Sequence, residues 1–264
     1  MTNQDNLVGD FFDKIASNYD SRYKLRENMF LAHFFRKRLE MATDGLPKHL
    51  GTVVDIGAGT GQLYRFLLEN DYSFDDYVAV DVSEGMLINS AIPEEKRHIG
   101  TVHIPALDCY EGKVDHVFLL GVTTYMTATE VEEALDRIER LSAKDGQLVC
   151  TFTNRHSVEF FIQSAISSIL RAFRKLSGNR LNLVAAQTFP RLIVGEKKMK
   201  AFLMPYGAIE RIDYLNQTLT PLNRLFTRPS IRLESLLNRV LPRWPGILAA
   251  FSSDILFRVR FGGQ

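Results

Sequence analysis

The sequence predicts an α/β fold: a mostly parallel sheet with helices wound on both faces. Two observations predict it. Short, apolar, β-branched runs recur between residues 52 and 153, separated by stretches of helical periodicity. The first of these runs, Thr52–Ile56, passes directly into three alternating glycines and then into a helical pattern.

The elements follow in order. Before residue 45 the periodicity is helical. Residues 10–19 place Phe11, Phe12, Ile15 and Ala16 on one face, and residues 29–41 carry Met29, Phe30, Phe34 and Leu39 around an Arg36-Lys37-Arg38 cluster. Gly45 and Pro47 end this section. Residues 52–56 read as a buried strand, 57–61 as a turn and 62–70 as a helix. A second strand is predicted over 77–81, and Ser83 is placed to cap a helix reaching Asn89. A third strand is predicted over 101–104 and a fourth over 116–121. An amphipathic helix follows over 129–141, with a fifth strand over 147–153.

After Arg155 the alternation stops. Residues 157–176 predict a long amphipathic helix, with Val158, Phe161, Ile162, Ala165, Ile166, Ile169, Ala172, Phe173 and Leu176 on its apolar side and Gly178 as its C-cap. A sixth strand is predicted over 207–214. Pro221, Pro229, Pro242 and Pro245 confine 215–253 to short helices and turns. Residues 255–261 read as the last strand.

Composition narrows the function classes. Hydrophobic residues make up 45% and charged residues 24% of 264, so disordered, collagen-like and coiled-coil readings fail. No apolar run is long enough to span a bilayer, and the first residues lack the pattern of a secretory leader. Cys109 and Cys150 form no disulfide framework, and no His/Cys cluster has metal-ligand spacing, so a cytoplasmic protein with reduced thiols and no metal is expected. The net charge of +1 conceals an asymmetry. Residues 1–154 carry 15 Lys and Arg against 25 Asp and Glu, whereas 155–264 carry 17 against 6. The basic residues are not interleaved with aromatics in a nucleic-acid reader pattern, so a nucleic-acid partner is not expected.

The stretch that carries chemistry is Val53-Val54-Asp55-Ile56-Gly57-Ala58-Gly59-Thr60-Gly61. Glycines let the backbone turn sharply and approach a ligand, and the following helix presents its N-terminal N–H groups. A dinucleotide-binding loop has the spacing G-x-G-x-x-G, and here Gln62 stands at its third glycine position. The spacing with Asp55 two residues before Gly57 instead resembles the first motif of class I S-adenosylmethionine-dependent methyltransferases, small-molecule branch.

That resemblance implies a Rossmann-like, seven-stranded sheet whose last strand is antiparallel. It implies that Gly57, Ala58, Gly59 and Gly61 pass under the cofactor while Asp55 orients the loop. Asp81, ending the second strand, would accept from both ribose hydroxyls. Val82-Ser83-Glu84-Gly85-Met86-Leu87 is similar to the motif that follows, with Met86 on the adenine face beside Val82. Asp108 resembles the acid that accepts from the adenine amino group, with Cys109 beside it, although a lone loop Asp is also a common turn former. Residues from Gly121 to Met126 resemble the segment lining the transfer site, and Tyr19 resembles the entry-helix tyrosine that approaches the cofactor. Tyr125 and His156 are the catalytic candidates. Tyr125 reads equally as core filler, and His156 as a surface or capping group.

The expected organisation is a cofactor-binding core over 1–154 including the N-terminal helices, substrate-binding insertions over 155–253, and a final core strand over 254–264. The expected activity is methyl transfer from S-adenosylmethionine to a small-molecule or amphipathic acceptor, with possible membrane contact through 157–176. An NAD(P)-dependent oxidoreductase and a non-catalytic cofactor-binding relative are the alternatives.

Overall fold

A computed structural model describes residues 3–23, 29–177, 192–217, 226–241 and 244–262. Its strands are β1 (Thr52–Ile56), β2 (Asp76–Asp81), β3 (Arg97–Ile99), β4 (Val114–Leu119), β5 (Ser142–Asn154), β6 (Ile193–Val194), β7 (Gly207–Leu215) and β8 (Asp254–Phe261). The main path across the sheet runs β3-β2-β1-β4-β5-β8-β7, and the two-residue β6 pairs with β5. Strands β1 to β5 run parallel to one another, whereas β8 is antiparallel to both β5 and β7. The expected sheet with its antiparallel last strand is therefore present, with β6 as an eighth short strand.

The central strands β1, β2, β4 and much of β5 are buried on both faces, as continuous apolar strands require. Alternate residues of β1 go to opposite sides. Val54 and Ile56 join a cluster with Val131, Leu135 and Ile138 of α5 (Ala128–Leu141), while Val53 packs with Leu63 and Leu67 of α3 (Gln62–Glu69). Helix α5 begins at a capping box formed by Thr127 and Glu130. Ser83 caps α4 (Glu84–Ile88) through Met86 N, as its sequence position predicts.

Helices α1 (Asn3–Tyr19) and α2 (Met29–Thr43) lie over the carboxyl ends of the central strands. Asp13 on α1 accepts from Ser83 Oγ and from Gly85 N, which fastens α1 to the α4 cap. A Cβ at Gly9 would sit 2.8 Å from Val82 O, so α1 approaches β2 closely. Asp20 receives Gln62 Nε2 at 2.9 Å and Arg65 Nη2 at 2.7 Å. Helix α2 is tied to the helix Thr227–Val240 by His33 and Glu234, 2.7 Å apart.

Two sequence expectations change. The third strand is Arg97–Ile99, and 101–104 is a loop. Gly100 ends the strand at φ 141, and the β-branched Thr101, Val102 and Ile104 that suggested a strand pack from the loop. The long helix α6 (Val158–Ser177) forms, but Phe161 is 75% exposed, so its apolar stripe is not wholly covered within the described residues. Gly178, Pro221 and Pro242, and the side chains of Ile169, Ala172, Phe173 and Leu176, lie outside the described residues. No described helix is long and apolar enough to cross a membrane.

Candidate functional site

Chain order places β1 between β2 and β4, so successive connections leave β1 in opposite directions. A crevice opens at the carboxyl ends of these strands, where ligands bind in open α/β sheets. A cavity of about 510 Å³ occupies it. The loop after β1 forms its floor, and α1 and α2 supply its cover through Val8, Phe12, Tyr19, Phe35, Arg38 and Leu39.

The loop conformation requires glycine. Gly57, Gly59 and Gly61 have φ of 73, 55 and 74. The N–H groups of Gly57 and Ala58 donate to Val80 O at 2.7 and 3.1 Å, locking the loop onto β2. A Cβ at Gly57 would lie 2.2 Å from Val122 Cγ2, whereas a Cβ at Gly59 would meet no atom within 4 Å. The first glycine is needed for packing. The second leaves open space at the cavity floor, a cradle that a side chain would fill.

Two buried carboxylates stand beside the loop. Asp81 accepts from Gly59 N through Oδ2 and from Ser83 N through Oδ1, both at 2.8 Å. Burial raises its pKa to about 6, against the pull of these backbone N–H groups. Asp55 accepts from the Tyr77 hydroxyl at 2.7 Å, and burial raises its pKa to about 7 against that hydrogen bond, with Asp81 adding to the rise. Each carboxylate oxygen has a further lone pair, so Asp81 can hold its loop contacts and still accept from a ligand diol.

The structure brings Tyr19, Asp55, Gly57, Ala58, Gly59, Asp81, Val82, Met86, Gly121 and Tyr125 to this one cavity. Gly61 sits just behind it, where a Cβ would lie 2.9 Å from Ile92 Cγ1. Tyr125 meets Phe12 edge-to-face, with ring centroids 5.3 Å apart, so the tyrosine wall and the α1 cover are one aromatic unit.

Three candidates lie elsewhere. Asp108 and Cys109 are on a short turn after the third strand and do not line the cavity. Asp108 is paired with Arg137, which Glu111 also holds, and Cys109 is exposed. The corrected strand boundary explains this: ending β3 at Ile99 brings Gly100 to His103, not 108–109, to the cavity. His156 is exposed and packs against Gly195, where a Cβ would lie 2.4 Å from its ring.

Sequence reasoning missed Thr101, Val102, Arg38 and Asp254 as cavity residues. Asp254 is half-buried at the start of β8, receives Thr153 Oγ1 at 3.1 Å, and is raised in pKa by desolvation. No described residue of 155–253 lines the cavity.

Comparison with known proteins agrees with this arrangement. Residues 54–148 match a protein-family model described as a methyltransferase domain. An uncharacterized methyltransferase of Exiguobacterium sibiricum is 28% identical over 177 residues, covering 64% of this chain and 76% of that protein. Among solved structures, a complex of the Haloferax volcanii Trm112 methyltransferase activator with a methyltransferase aligns with a TM-score of 0.60 at 15% identity, over 96% of this chain and 98% of that one. Magnesium protoporphyrin IX methyltransferase of Synechocystis PCC 6803, solved with S-adenosylhomocysteine, aligns at 0.58 with 13% identity, over 98% and 100%. At such identities the structural likeness is one of fold. The sequence match shows that residues 54–148, from β1 to β5, are similar to a methyltransferase domain.

Proposed function

We propose that the cavity holds S-adenosylmethionine along the 57–61 loop and Asp81, and that the chain transfers its methyl group to a small-molecule or amphipathic acceptor. The observation that carries this reading is the open space above Gly59 beside the buried carboxylate of Asp81. Bound there, the cofactor supplies a methyl group already activated on a sulfonium. The chain's own residues then bind, align and exclude water. Asp81 would accept from the ribose hydroxyls, and Thr101 and Val102, in place of Asp108, would border the adenine end. The acidic groups lining the cavity favour a cationic ligand.

The acceptor reading rests on the apolar part of the lining. Phe12, Phe35, Leu39, Val122 and Met126 offer an apolar surface interrupted by Tyr125 and Arg38. An acceptor with an apolar body and a polar end fits that lining. Tyr125 is the candidate to meet its reacting end, because it lines the cavity and His156 does not. Residues 155–253 are assigned to recognition of acceptor parts outside the cavity, in a chain working in the cytoplasm with reduced Cys109 and Cys150.

Calorimetric titration with S-adenosylhomocysteine and with NAD tests the reading. Saturable binding of the first at micromolar concentration is expected. Binding of NAD alone would transfer the cavity to dinucleotide chemistry. Phe161 and Ile166, exposed on α6, support peripheral membrane contact as a second reading. Flotation with anionic liposomes at low and high salt checks it, and absence of salt-sensitive binding rejects it.

A further inference from the structure

We infer that Arg38 is a carboxylate-recognition residue inside the cavity, an inference that rests on the cofactor-site reading above. Arg38 is the only Lys or Arg among the described residues that line the cavity, a lining that also includes Asp55, Asp81 and Asp254. Its guanidinium is held in place by aromatic rings, with its central carbon 4.8 Å from the Phe34 centroid and 5.2 Å from that of Phe35. It also lies directly against the carboxyl end of β4, since a Cβ at Gly121 would stand 2.5 Å from Nη1. Gly121 thus makes room for the guanidinium as well as for the φ of 76 that its turn adopts.

The fork has donors to spare. Nε is buried and has no hydrogen-bond partner. Among the described residues no carboxylate forms an ion pair with Arg38 within 4 Å. The half-buried Asp254 feels the charge of Arg38 without forming an ion pair with it. A guanidinium stays charged at any accessible pH and matches a carboxylate in a two-pronged fit. Among the described lining residues Arg38 is the one Lys or Arg, so it is the position at which a carboxylate would be held. The carboxylate has two available sources: the amino-acid end of the cofactor, or the polar end of the acceptor.

Calorimetry on the full chain separates them, using S-adenosylhomocysteine, methylthioadenosine (the same thioether nucleoside without the amino-acid group), and benzoate added to the S-adenosylhomocysteine complex. Arg38→Met and Arg38→Lys are compared with the unaltered protein, with circular dichroism and thermal midpoints confirming that each is folded. A cofactor source predicts that Arg38→Met loses roughly ten- to hundredfold in affinity for S-adenosylhomocysteine, the size of a hydrogen bond to a charged group, while methylthioadenosine is unaffected. Arg38→Lys should recover part of the loss. An acceptor source predicts unchanged binding of both nucleosides and saturable benzoate binding that Arg38→Met abolishes. Equal nucleoside affinities in all variants with no saturable benzoate binding overturn the inference while leaving the cofactor site standing. Failure of the unaltered protein to bind either nucleoside overturns that site and this inference together.

Discussion

Asp81 Oδ2 holds Gly59 N at 2.8 Å, so the carboxylate that ends β2 and the glycine loop that ends β1 form one unit. The register of the parallel pair produces this contact: Ile56 lies opposite Val80, so both chains leave the sheet side by side. The carboxylate that shapes the cavity floor therefore also lines the cavity.

This dual role makes binding sensitive to pH. The folded pKa of Asp81, about 6, lies above its ordinary value of 3.8, and that of Asp55 is about 7. Each proton is held more tightly by the folded chain, so these two groups favour folding at low pH. Their contribution is lost as pH rises from about 4 to 7. Ligand binding runs the other way, because the ionised Asp81 is the better diol acceptor. Affinity for S-adenosylhomocysteine should rise as pH passes through about 6, and Asp81→Asn should flatten that profile. Titrations at pH 5, 6, 7 and 8 check both statements.

Two neighbouring glycines should fail differently. Gly57→Ala meets both a strained φ of 73 and Val122 at 2.2 Å, so its main effect is on folding, with a loss of about 2–4 kcal/mol expected from strain and overpacking. Gly59→Ala pays about 1–2 kcal/mol for its φ of 55 alone. Its methyl points into open space, so its larger effect should be on cofactor affinity. Denaturant unfolding and calorimetry on the two variants distinguish the cases; equal losses of stability would remove the contrast.

Asp13 fastens the α1 cover to the α4 cap through Ser83 Oγ and Gly85 N. Asp13→Ala should loosen that cover and speed dissociation of S-adenosylhomocysteine severalfold, with a smaller change in association. Stopped-flow displacement reads both rates, and an unchanged dissociation rate would show that α1 does not gate the cavity.

Asp108 is paired with the buried Arg137 and lies away from the cavity. Asp108→Ala should therefore lower the thermal midpoint by a few degrees and leave cofactor affinity within twofold. A large affinity loss without a stability change would return Asp108 to the site.

The parts legible in the sequence are those where local pattern and tertiary environment agree. β1 and β2 are short apolar runs buried on both faces, Ser83 is a cap both by residue type and by position, and the glycine loop states its own backbone conformation. The third strand misleads because Thr101, Val102 and Ile104 have strand propensity, while Gly100 turns the chain before them. That shift of four to five residues also explains why the sequence puts Asp108 at an adenine position. Arg38 is not legible at all. Within Arg36-Lys37-Arg38 it reads as a solvated cluster, and only the packing of α2 over the sheet separates it from Arg36, whose side chain stays exposed and pairs with Glu40. Likewise the charge division near residue 154 suggests an acceptor site in the basic half, yet the described cavity is covered by α1 and α2 of the acidic half.

The most direct test of the account is the affinity of the unaltered protein and of Asp81→Ala for S-adenosylhomocysteine, measured by calorimetry at pH 7.5. The account predicts micromolar binding that weakens by about 1–3 kcal/mol, or roughly five- to 150-fold, when the carboxylate is removed. Absence of binding to the unaltered protein, or equal affinity in the two, would contradict it.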